Sequence, residues 1–144
     1  MARAAGLRCN RGVTDIDELC PCGRAVAFAE CCEPIVHGER AAPTAEALMR
    51  SRYTAFALGE VDHLSRSWHP TTRPKRIHLG DDGGRRWDRL EVVATTGGGL
   101  LDQEGTVEFR AHHRDVDGGH GTLHEVSRFV RHDGTWTYLD GTHG

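Results

Sequence analysis

Lysine is nearly absent from this 144-residue chain: Lys75 stands alone, and arginine supplies the rest of the 18 basic residues. With 21 acidic residues the formal net charge is −3. Such a balance gives no overall pull toward nucleic acid or anionic membranes. Long apolar runs are also missing. No stretch approaches the roughly 20 residues that span a bilayer, and Met1–Arg8 lacks the apolar segment of a signal peptide. The expectation is a cytoplasmic protein with no membrane association, where thiols stay reduced. Several catalytic signatures are absent too. There is no Gly-x-Ser-x-Gly elbow, and Gly97-Gly98-Gly99 is not followed by the Lys-Ser/Thr of a phosphate loop. His124-Glu125 begins the metalloprotease motif His-Glu-x-x-His, but position 128 is arginine.

What the chain does have is a cysteine cluster. Four of its five cysteines fall in Cys20-Pro-Cys-Gly and Cys31-Cys32, and Cys9 is spare. In a reducing compartment clustered cysteines point to metal or redox chemistry before disulfides. If residues 20–22 are extended, Cys20 and Cys22 face one side. About two helical turns over Arg24–Glu30 would then return Cys31 and Cys32 to the same point. Four thiolates suit one tetrahedral zinc ion, at Zn–S distances of roughly 2.3 Å, with no position left for a reacting water. The site is therefore read as structural. Adjacent Cα atoms lie about 3.8 Å apart, too close for an ordinary Cys31–Cys32 bridge. An iron–sulfur cluster would use the same four ligands. His37 could substitute for one cysteine, although four suffice.

Downstream the pattern is α+β. Thr44 is placed to cap a helix, with Pro43 before it and Glu46 in the first turn. Ala45, Leu48, Met49, Tyr53 and Phe56 form its apolar stripe, and Gly59 ends it. A second short helix is expected from about Asp62 to Trp68, closed by His69-Pro70, and residues 71–86 read as a loop. Period-two alternation then takes over, with strands over Arg89–Thr95, around Val107–Ala111, over Leu123–Arg131 and over Thr135–Asp140. Turns are signalled at Asp117-Gly118 and Asp133-Gly134. Helices followed by an antiparallel meander define an α+β fold.

Cys20-Pro-Cys-Gly … Cys31-Cys32 resembles the SEC-C motif, the zinc knuckle at the C-terminus of the SecA translocation motor. The segment Ala42–Phe56, with its Met49-Arg-Ser-Arg-Tyr53 string, is similar to the bacterial YchJ-like family. So are Trp68-His-Pro70, Val107-Glu-Phe109, His124–Phe129 and Trp136–Gly141. The resemblance implies a knuckle with its lead-in over residues 1–38. It further implies a cone-shaped domain of the nuclear transport factor 2 type over 39–144, with helices on a curved antiparallel sheet and often a cavity. One departure stands out. The Gly23–Glu30 segment is nearly neutral, whereas SEC-C knuckles carry basic residues after the glycine. That weakens the carry-over of the motif's expected partners, the chaperone SecB and the ribosome. It also argues against nucleic acid, since phosphate contacts need a basic surface. The basic run Arg73–Arg76 is followed by Asp81-Asp82 and then Arg85-Arg86, and reads as a solvated loop.

The remaining chemistry-bearing residues sit beside aromatics. Glu125 and Ser127 share a strand face with Leu123 and Phe129, and His124 shares the other with Val126. A polar group in an apolar row needs a partner or suffers a pKa shift. Arg50, Arg52 and Tyr53 on the first helix are candidate partners, and Trp68, Trp136 and Tyr138 are candidate walls. Three roles compete: an Arg–Glu pair fixing helix to sheet, a ligand pocket, and acid–base catalysis by His124, Glu125 or Glu108. His112 and His113 point to opposite faces of a strand and cannot easily share a metal. The preferred reading is a binding or adaptor module. It takes a protein partner through the knuckle and a small molecule in the cone cavity, and no residue is assigned as catalytic. The alternatives are an isomerase, dehydratase or hydrolase working in the cavity, and a homodimer whose sheet faces pair over a filled core.

Overall fold

The computed structural model describes residues 19–77 and 86–143. Cys9, most of the lead-in and part of the 71–86 loop lie outside the described residues.

The cysteine segment is built from turns. Cys20 N–H donates to Val26 O at 2.9 Å, Gly23 N–H reaches back to Cys20 O at 3.3 Å, and Leu19 bridges Ala27. Gly23 takes φ +96°, where a side chain would be strained. The expected extended Cys20–Cys22 strand is thus a tight turn. The expected two helical turns shrink to one 3-10 turn, Phe28–Glu30. A short helix α1, Glu33–Val36, follows directly from Cys32. Thiol convergence is achieved by turning the chain sharply, so the intervening residues need no helix.

Helix α2, Ala45–Leu58, begins and ends as its sequence dictates. Thr44 Oγ1 accepts from Ala47 N–H at 3.0 Å, and Gly59 closes the helix at φ +79°. The buried set of α2 is wider than an apolar stripe and includes Ser51, Arg52 and Thr54. One side of the helix packs on the sheet, and the other packs on the knuckle and on α3, Val61–Arg66. Beyond α3, Tyr138 N–H donates to Ser67 O at 2.7 Å and His69 N–H to Tyr138 O at 2.8 Å. That strap carries Trp68 onto Tyr138.

Four antiparallel strands form one meander in the order β1 (Arg86–Gly97), β2 (Glu104–Arg114), β3 (His120–His132) and β4 (Thr135–His143). Asp133 and Gly134 both have positive φ, as a two-residue β3–β4 hairpin needs. Register shifts interrupt β1 between Trp87 and Arg89 and between Val92 and Ala94, and the β3–β4 pairing beside Phe129. Such bulges bend strands and deepen twist. The inner face presents Leu90, Val107, Phe109, Ala111, Phe129 and Trp136 to Leu48, Met49 and Tyr53 of α2. Gly98 meets the helix N-terminus, its carbonyl accepting from Ala45 N–H at 2.9 Å. A Cβ on Gly98 would stand 2.8 Å from Ala45 Cβ, so this close approach requires glycine. Among the described residues no helix is long and apolar enough to cross a membrane.

Candidate functional site

The four cysteines converge. Their Sγ atoms all lie within 4.8 Å of one another, and each residue is at most 8% exposed. Cys22 and Cys31 are 3.6 Å apart at sulfur, and Cys31 and Cys32 are 4.0 Å apart. None is bridged. Four sulfurs placed roughly 2.3 Å from one central ion define a tetrahedron with edges of about 3.8 Å. The Cys22–Cys31 and Cys31–Cys32 spacings straddle that edge, and every pair stays within an ångström or so of it or closer. A multi-iron cluster spreads its ligands over several metal atoms and needs them farther apart. The donor set thus fits a single tetrahedral thiophilic ion.

The same crowding shapes the thiols. Hydrogen bonds from Cys22 and Cys32 pull Cys20 far below the usual thiol range. Burial and neighbouring thiols push Cys31 up to about 12, and hydrogen bonding with Cys20 and Cys22 raises Cys32 further. Negative charge that one site accepts is denied to its neighbours. Only a cation at the centre lets all four ionise together.

The knuckle is docked on α2. Arg50 Nη1 donates to Cys22 O at 2.8 Å while its Nε holds Glu46 Oε2 at 2.9 Å. Thr54, fully buried, brings Oγ1 within 3.8 Å of Cys20 Sγ. Arg66 of α3 donates to Val36 O at 2.9 Å. Val36 and Phe28 pack beside the cysteines.

On the sheet side of α2 lies a partly enclosed cavity of about 160 Å³. Arg52, Tyr53, Trp68, Glu125, Ser127 and Tyr138 line it, together with Met49, Phe56, Trp87, Phe109, Leu123 and Phe129. The other four candidate positions lie elsewhere. Arg50 faces the knuckle. Glu108 and His124 pair with each other at 2.7 Å on the opposite face of the sheet. Trp136 is buried in the core, its Nε1 donating to Pro43 O at 3.3 Å. Helix geometry separates the two arginines, and strand alternation separates Glu108 and His124 from the cavity.

Within the cavity, Glu125 is fully engaged. Its Oε2 accepts from Ser127 Oγ at 2.6 Å and from Tyr138 Oη at 3.1 Å, and its Oε1 lies 3.1 Å from His143 Nε2. Burial and the adjacent carboxylate hold the Tyr138 hydroxyl well above the ordinary phenol range, and burial pushes Tyr53 up to about 12. Both phenols stay neutral donors. Arg52 does not pair with Glu125, contrary to the Arg–Glu contact weighed from the sequence. Its Nη1 instead donates to Leu64 O at 2.9 Å and Ser67 Oγ at 2.6 Å. The guanidinium carbon lies 4.9 Å from the Trp68 ring centre and 4.5 Å from that of Tyr138, a cation–π arrangement. Burial lowers its pKa to about 10, so it remains charged at neutral pH.

Sequence reasoning also missed the bond between Ser51 Oγ and His63 Nε2 at 2.8 Å, both buried behind α2. A histidine at the third position of a short helix gave no periodic signal toward it.

Together the two sites define a class: a closed four-cysteine knuckle docked on the helix of an α+β domain that keeps a cavity under its sheet. Comparison with known proteins agrees with that class. Residues 18–34 match the SEC-C motif, and residues 44–141 match the family described as YchJ, middle NTF2-like domain. A UPF0225 protein of Streptomyces coelicolor is 52% identical over 122 residues, covering 85% of this chain and 93% of the relative. A UPF0225 protein of Geobacter sulfurreducens is 48% identical, over 85% and 78% of the two chains. A SEC-C motif containing protein from Rhodopseudomonas palustris, solved in solution, superposes with a TM-score of 0.76 at 32% identity, over 85% of this chain and 96% of that one. A crystal structure of a SEC-C motif containing protein from Psychrobacter arcticus gives a TM-score of 0.68 at 28% identity, over 87% and 82%. The chain belongs to the UPF0225 family of SEC-C, YchJ-like proteins.

Proposed function

We propose that the protein is a zinc-stabilised binding module: the knuckle holds one structural zinc ion, and the cavity holds a small ligand. The observation that carries this reading is the contrast between the two sites. Four buried thiolates fill the coordination sphere of a tetrahedral ion and leave no position for substrate. The cavity keeps unfilled volume beside a charged side chain. Cys20, Cys22, Cys31 and Cys32 would hold the zinc, which when bound supplies folding energy to a segment too short to bury a core. A protein partner would meet the knuckle face, where Leu19 and Val26 are exposed.

Two features weigh against the enzyme reading. The histidine–carboxylate pair His124–Glu108 faces away from the cavity, and the cavity carboxylate Glu125 is held by three donors. The dimer reading called for a filled core under the sheet, which the open volume beside Phe56 and Trp87 disfavours.

Native mass spectrometry of freshly reduced protein tests the proposal. One zinc with an additional small organic mass is the expected result. Protein without zinc would overturn the metal assignment, and a zinc-loaded dimer with no accessible cavity would overturn the module reading.

A further inference from the structure

The chemistry of the cavity narrows what can occupy it, provided that it is a ligand site as proposed above. Its volume, about 160 Å³, is close to the roughly 150 Å³ that accommodates a single benzene ring in a protein interior. Tyr53, Trp68, Phe109 and Tyr138 supply aromatic faces and edges around it.

The polar groups are unevenly satisfied. Glu125 has donors on both oxygens and asks for nothing more. Arg52 is only 4% exposed, yet its two hydrogen bonds both leave from Nη1. Among the described residues Nε and Nη2 donate to nothing, and no carboxylate lies within ion-pairing distance. The rings of Trp68 and Tyr138 cover the guanidinium faces but cannot accept its edge donors in-plane. Arg52, which lines the cavity, therefore keeps edge donors in want of an acceptor, and a charged group short of hydrogen bonds in such a site favours a ligand that supplies them. A guanidinium edge is matched geometrically by a carboxylate.

We infer that the cavity binds a small single-ring aromatic carboxylate, its ring among the aromatic walls and its carboxylate on the free edge of Arg52. A planar acid of that size brings the in-plane acceptors that the Arg52 edge lacks. Neither a bare hydrocarbon nor a bare carboxylate meets both demands.

The test uses the full-length, metal-loaded protein and three probes: benzoate, toluene and acetate. Binding is read by titration calorimetry and by the nuclear magnetic resonance signal of the Trp68 indole N–H. Benzoate should bind at least about tenfold more tightly than either fragment and should shift that signal. R52K keeps the charge and loses the planar fork, and R52Q loses both; each should weaken benzoate about tenfold or more, the worth of one buried hydrogen bond. Toluene binding as tightly as benzoate would overturn the carboxylate assignment while leaving the cavity a ligand site. Benzoate affinity unchanged in both variants would do the same. No response to benzoate or toluene would overturn this inference and the ligand-site reading together.

Discussion

Arg50 Nη1 donates to the carbonyl of Cys22 at 2.8 Å, joining the middle of α2 to the turn that carries two of the four thiols. The same guanidinium is braced by Glu46 one helical turn earlier. A positive charge beside a site of net negative charge favours the ionised thiolates. Arg50→Ala should therefore weaken zinc retention, with a loss of about 1.5–3 kcal/mol, the range for a hydrogen bond to a charged group. Competition with a coloured chelator measures it. Retention equal to the unmodified protein would show that the link is incidental.

Cys31→Ser removes one of the four sulfurs. Zinc content should fall from one ion per chain to near zero, and amide protection should be lost over residues 19–38. The sheet and α2 should still melt cooperatively, because Ala45–Gly98 and Trp136–Pro43 tie them together without the cysteines. Hydrogen exchange resolves the two parts. Simultaneous loss of protection in knuckle and sheet would show that the knuckle belongs to the core.

Gly141 on β4 leaves room for the Glu125 carboxylate: a Cβ there would overlap the Glu125 side chain. Gly141→Ala should displace that carboxylate and destabilise the fold by about 1–3 kcal/mol, as other overpacking substitutions do. A denaturant midpoint shifted to lower concentration checks this. An unchanged midpoint would mean that Glu125 moves aside at no cost.

His63 is buried behind α2, and burial together with the charges of Arg52 and Arg66 pulls its pKa down to about 4. In the unfolded chain it titrates near 6.5. Between these values the unfolded state binds the extra proton, so stability falls as pH falls from about 6.5 toward 4. The slope from this residue is up to about 1.4 kcal/mol per pH unit. His63→Gln should flatten the acid limb of a stability–pH curve by about one proton. An identical slope in both proteins would remove His63 as its source.

Much of this architecture was legible in the sequence. Thr44 and Gly59 mark α2 because a cap and a left-handed stop are local chemistry. Asp133-Gly134 marks the last hairpin for the same reason. The cysteine cluster was legible from spacing alone, although the path between its halves was not, since turns and helices can deliver the same thiol convergence. What failed to show was the second buried side of α2. Ser51 and Thr54 lie outside the apolar stripe, and their cover comes from His63 of the next helix and from Cys20 of the knuckle, polar contacts that hydrophobic periodicity does not register. The two arginines were treated alike, yet residues two apart on a helix point about 200° apart. That spacing alone sends Arg50 to the knuckle if Arg52 faces the cavity. The bulge beside Phe129 is likewise invisible to a period-two reading.

The placement of the tryptophans has an optical consequence. Trp68 lies against a guanidinium and Tyr138, Trp87 against His113 and Tyr53, and Trp136 under Arg131 in the core. These three are the only tryptophans in the chain, and none lies in the cysteine segment. Intrinsic emission therefore reports the sheet domain and is silent about the knuckle. A fluorescence melt and a metal-release curve followed on one sample would record two separate events, and their temperature gap would measure how firmly α2 couples the two parts.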